Sequence, residues 1–105
     1  MTTLKPSLPD ALRRIRKARG LSQEAFSDVS SRTYLSSLER GLKSPTLKKV
    51  EELCDVMSIH PLTFFAIAYF DMDSESIDEC LRSIKKEVDE IRSLENRQSD
   101  TFVKR

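Results

Sequence analysis

Glycine and proline are scarce, two and four among 105 residues. Turn-rich all-β architectures use more of both, so the shortage favours helices. Cysteine is as thin: Cys54 and Cys80 are too few for a disulfide framework and suit a reducing compartment. With no tryptophan, one histidine and no CxxC pair, no zinc site is expected. The longest apolar run, residues 62–70, includes Thr63 and falls well short of the roughly 20 residues of a membrane span. No apolar core precedes the first basic residues, so no secretory signal is expected. Catalytic signatures are missing as well: no GxSxG, no glycine-rich phosphate loop and no HExxH. His60 reads as a helix cap, Cys54 as a buried apolar-stripe residue, and the acids of residues 71–79 lack EF-hand spacing. These absences lead to the expectation of a soluble, cytoplasmic, all-α chain that is not an enzyme and needs no cofactor, metal or small-molecule ligand.

What is present is charge, unevenly placed. Charged residues make up 33% of the chain, yet the formal net charge is only +1. Residues 1–49 hold eleven Lys/Arg against four acids, whereas residues 50–105 hold seven against thirteen. The halves therefore carry +7 and −6. Such a split suits a basic end that meets a polyanion and an acidic end with another task.

Helix punctuation is clear. Ser7-Leu-Pro-Asp10 reads as a helix start, followed by Leu8, Ala11, Leu12, Ile15 and Ala18 at helical spacing and a stop at Gly20. Ser22 reads as the cap of a short second helix, about residues 23–29, with Leu21 and Phe26 spaced as a hydrophobic staple. A third helix starts near Ser30 or Ser31, turns Leu35 and Leu38 inward and ends at Gly41. Thr46 caps a fourth, with Leu47, Val50, Leu53, Cys54 and Met57 on one stripe. His60-Pro61 opens a fifth, carrying Leu62, Phe64, Phe65 and Ile67. The expected boundaries are a five-helix domain over 7–70, an extension helix over 74–97 and a frayed tail over 98–105.

The extension repeats apolar residues at Ile77, Leu81, Ile84, Val88 and Ile91, the alternating four-and-three spacing of a coiled-coil seam. With Leu81 and Val88 as a positions, Glu87 falls at g and Arg92 at e, an attractive pair across a parallel dimer. Those five residues are the expected dimer interface, against the alternative of a helix packed back on its own domain.

A short capped helix, a tight connection and a second helix inside a small bundle are the layout of a helix-turn-helix. The run IRKARGLSQEAF, followed by SSRTYLSSLERGLKSPTLKKVEELCDVMSIHPLTFF, resembles the lambda-repressor-like DNA-binding domains of the Cro and xenobiotic-response-element type. The resemblance covers about residues 10–66. It is carried by Arg16, Arg19-Gly20-Leu21-Ser22-Gln23, the SSLERG of residues 36–41, and Pro45-Thr46-Leu47. One feature departs from the family. Val29-Ser30-Ser31 holds no glycine and is shorter than the usual turn between the second and third helices of the family it resembles.

The resemblance implies double-stranded DNA as partner and a residue-by-residue site. With Leu35 and Leu38 inward, Arg32, Thr33, Ser36 and Ser37 are expected outside, as base readers. Arg32 leads because a guanidinium can bond O6 and N7 of guanine together. Gln23, Ser31, Arg40, Lys43 and Ser44 are expected on phosphates. Arg16 and Glu39 match a pair that forms an internal salt bridge in the family and are assigned to structure. One such domain makes few base contacts, so the expectation is a homodimeric transcriptional regulator, a repressor by default, on a palindromic operator. The alternative is a protein-interaction or antitoxin-like module whose last helix binds a different protein and whose DNA affinity is weak.

Overall fold

The computed structural model describes residues 7–103 and, among them, five α-helices, one 3₁₀ turn and no strand. The chain divides after Met72 into two compact units. The first holds α1 (Leu8–Ala18), the 3₁₀ turn (Gln23–Phe26), α2 (Arg32–Glu39), α3 (Leu47–Met57) and α4 (Pro61–Phe70). The second is α5 (Ser74–Val103).

Local chemistry sets the boundaries of the first unit. In α1, Pro9 occupies the first turn and Asp10 faces Arg13 and Arg14 at 3.7 and 3.9 Å. Ser7 makes no side-chain cap; its backbone N–H instead donates to the Ala68 carbonyl at 3.0 Å, tying the start of α1 to α4. At the other end Gly20 takes φ +71°, and Leu21 N–H reaches back to the Arg16 carbonyl at 3.0 Å, the closure in which a left-handed residue satisfies the last carbonyls. The same closure ends α2, where Gly41 has φ +75° and Leu42 N–H donates to the Ser37 carbonyl at 2.9 Å. Side-chain caps start the other three helices: Ser31 Oγ accepts from Tyr34 N–H (3.1 Å), Thr46 Oγ1 from Lys49 N–H (3.1 Å) and His60 Nδ1 from Leu62 N–H (3.0 Å).

The core joins Ala11, Leu12 and Ile15 of α1 to Phe26, to Leu35 and Leu38 of α2, to Val50, Leu53, Cys54 and Met57 of α3, and to Phe64 and Ala68 of α4. Ala18, Leu47 and Leu62, read as stripe residues from spacing, lie exposed at or near helix ends, where the stripe runs past the edge of the core.

Two expected boundaries change. The helix expected over 23–29 is a four-residue 3₁₀ turn, because Phe26 is drawn wholly into the core and its carbonyl receives both Val29 and Ser30 N–H at 2.9 Å. Ser22 makes no side-chain cap bond there. The tail expected over 98–105 is helical as far as Val103, since nothing between Arg97 and Val103 breaks a helix. Along α5, Leu81, Ile84, Val88 and Ile91 are exposed, with Leu94 beside them, and Ile77 is half-buried. Among the described residues no single helix is long and apolar enough to cross a membrane.

Candidate nucleic-acid interface

α2 presents one side to solvent and buries the other. Arg32 opens it with a side chain 73% exposed, its guanidinium 3.7 Å from the Glu24 carboxylate. Thr33 is exposed and Ser36 half-buried. Gln23, Arg32, Thr33, Ser36 and Arg40 line one shallow depression, so two expected phosphate contacts and three expected base readers share a surface.

Ser37 does not belong to it. The sequence reading placed Ser37 outside, but Ser37, Leu38 and Glu39 are consecutive and all buried. The last turn of this short helix is enclosed on more than one side once the chain folds back at Gly41, so Ser37 is withdrawn from the base-reading set.

Lys43 and Ser44 lie away from the depression. Both border a small, mainly apolar cleft of about 210 Å3 lined also by Leu12, Leu38, Leu53 and Phe64. The Lys43 ammonium stands 5.7 Å from the centre of the Tyr34 ring, a cation–π arrangement that leaves its outer side to solvent. Ser31 is exposed, with its hydroxyl oxygen committed to the cap of α2.

Beneath the depression lies the ion pair of Arg16 and Glu39. Arg16 Nε meets Glu39 Oε2 at 2.5 Å and Nη2 meets Oε1 at 2.9 Å, the two-pronged geometry that suits a guanidinium and a carboxylate. Arg16 Nη1 also donates to the Leu21 carbonyl at 2.9 Å, so one side chain ties together α1, the chain leaving it and the end of α2. The hydrogen bonds to Glu39 push the Arg16 pKa above its ordinary value, outweighing the opposing effect of burial. Gln23 joins this group, its Nε2 donating to Glu39 Oε1 at 3.2 Å.

Sequence reasoning missed two participants: Glu24 sits against Arg32, and Lys49 turns inward, where it and Lys43 face the Tyr34 ring. Only the Glu24–Arg32 proximity has a sequence signal, opposite charges flanking a short connection. The orientation of Lys49 depends on where α3 crosses the connection, which no local pattern states.

A short helix held by its inner face and end, presenting Arg32 and Thr33 from its first turn, defines a helix-turn-helix protein. A family model described as helix-turn-helix matches residues 12–64, from within α1 to within α4. The chain belongs to the lambda-repressor/Cro-like branch of that family and is a DNA-binding transcriptional regulator. Comparison with curated proteins gives no match.

Proposed function

We propose that the protein reads a palindromic operator as a homodimer, with α2 in the major groove, and represses transcription by occupying the site. The observation that carries this reading is the convergence of Arg32, Thr33, Ser36, Gln23 and Arg40 on one solvent-facing depression at the start and outer side of α2. Residues in the first turn of a reading helix meet base edges, and flanking donors set its register on the backbone. Arg32 supplies a forked donor for guanine, Thr33 a methyl for thymine and a hydroxyl, and Ser36 a hydroxyl that serves as donor or acceptor. Gln23, Ser31, Arg40, Lys43 and Ser44 serve as phosphate contacts. Glu24 holds Arg32 until a guanine replaces it.

Pairing follows from α5. Leu81, Ile84, Val88 and Ile91 expose an apolar seam at heptad spacing along one face, joined at its start by Ile77. A second copy covers it with like against like, while Glu87 and Arg92 meet across the edges of a parallel pair.

Selection from a random pool of short duplexes at physiological salt tests both halves of the proposal. An enriched inverted repeat is the expected result. Retention without enrichment reduces the function to charge attraction, with a steep salt dependence and no base preference. No retention at all moves the function to a protein-interaction module built on α5.

A further inference from the structure

We propose that Lys49 is a positioning residue for DNA reading: it braces the connection in front of α2 from α3 and does not itself meet phosphate. This rests on the DNA-reading proposal above. Lys49 lies in the first turn of α3, among the basic residues that give the first half of the chain its excess charge, and charge alone would put it on the DNA. Its side chain is only 24% exposed and points inward. The ammonium donates to the Val29 carbonyl, stands 2.9 Å from Glu52 Oε1 and lies 6.0 Å from the centre of the Tyr34 ring. An ammonium has three N–H donors, and here they face a carbonyl, a carboxylate and an aromatic face. The Glu52 carboxyl is correspondingly held below its usual range, chiefly by its hydrogen bond to Lys49.

The short connection explains the need. Val29 and Ser30 both direct their N–H groups to Phe26, while Val29, half-buried, keeps a carbonyl outside any helical ladder. A carbonyl in that position requires a donor, and Lys49 supplies it. The same ammonium reaches Tyr34, in the first turn of α2. Val29 and Tyr34 bracket Arg32 and Thr33, so one side chain holds both flanks of the segment that presents the base readers. A turn without glycine is thereby fixed from behind by a cross-link to α3.

Lys49→Met keeps most of the aliphatic stem and removes the three polar contacts. Its affinity for the selected operator is expected to fall tenfold or more, about the effect of losing a charge-assisted hydrogen bond. Affinity for a mixed-sequence duplex, and the slope of log affinity against log salt, should stay at wild-type values. Lys43→Ala is the comparison: as a phosphate contact it should weaken both DNAs and flatten the slope by about one. Lys49→Arg, which can donate to Val29 and Glu52 together, should restore operator preference. In the DNA-free protein, amide hydrogen exchange over residues 29–34 should speed up at least about fivefold in Lys49→Met while the buried amides of α3 stay protected. Equal loss on both DNAs with a flattened slope would make Lys49 a phosphate contact and overturn the proposal, as would unchanged exchange over residues 29–34. A wild-type protein without sequence preference would remove the DNA-reading proposal by itself, and the exchange measurement would still decide whether Lys49 is a brace.

Discussion

Glu39 Oε1 accepts from Arg16 Nη2 at 2.9 Å and from Gln23 Nε2 at 3.2 Å, so one carboxylate oxygen joins the structural ion pair to a residue of the proposed DNA surface. The pair is deeply enclosed, with side chains 11% and 5% exposed for Arg16 and Glu39. Removing one partner of such a pair leaves the other charge buried and unanswered. Glu39→Ala should therefore lose about 3–5 kcal/mol of stability, read as a lowered denaturant midpoint with the slope unchanged. A loss under about 1 kcal/mol would place the pair with weak surface bridges.

Arg32 offers a cleaner test of reading than of folding, because its side chain is largely in solvent. Arg32→Ala should leave the melting temperature within a degree or two and cost about 1–3 kcal/mol on the best operator. The preference at one base pair of each half-site should relax. A uniform loss on all sequences would make Arg32 a phosphate contact.

The α5 seam predicts a change of assembly without a change of fold. Val88→Glu puts a charge in the middle of an exposed apolar row, where the isolated chain loses little packing. Sedimentation at micromolar concentration should show the wild type as a dimer and the variant as a monomer with undiminished helix content. A wild-type monomer would contradict the homodimer.

The two cysteines should behave differently. Burial alone pushes the Cys54 thiol up to about 11, so iodoacetamide at pH 8 should modify half-buried Cys80 first and Cys54 only as the domain unfolds. The folded-state value lies above the ordinary 9.0, so the unfolded chain gives up this proton first. Stability from Cys54 is thus complete below about pH 9 and drains away as pH rises towards about 11. A Cys54→Ser variant exposes no such alkaline loss at this position, and the difference between the two melting curves checks the sign.

Ser58 ends α3 with φ +59°, a left-handed conformation that costs a non-glycine residue about 1–2 kcal/mol. Ser58→Gly should raise stability by roughly 0.5–1 kcal/mol, the conformational relief exceeding the added freedom of the unfolded chain. A thermal melt shifted downward would show that the serine is needed there.

Much of the helical layout is legible in the residues, and the reason is local. Ser31, Thr46 and His60 cap, and Gly20 and Gly41 terminate, through bonds that span five residues or fewer. The family resemblance is equally sequential, since Arg16 and the SSLERG run keep their spacing. What the sequence does not display depends on contacts between distant segments. Gln23–Phe26 winds as a 3₁₀ turn because burying Phe26 outweighs continuing a helix through Ser27 to Val29. Ser37 is polar and off the Leu35–Leu38 stripe, so only the returning chain reveals its burial. The boundary at Arg97 failed for a different reason. A polar face without Gly or Pro looks alike whether it is a tail or the end of a long helix.

The Gln23 amide carries two N–H groups, and Glu39 takes one of them. That choice settles which way the amide faces: nitrogen towards the carboxylate, with its second hydrogen left for a phosphate oxygen at the proposed surface. Glu39, itself buried, thus sets the polarity of a group at the surface. Glu39→Gln, which can present an N–H of its own, could turn the Gln23 amide over and direct a carbonyl at the DNA backbone. A map of operator affinity by mutation would then show a sensitive spot in the interior of the domain, at a residue that touches no nucleotide.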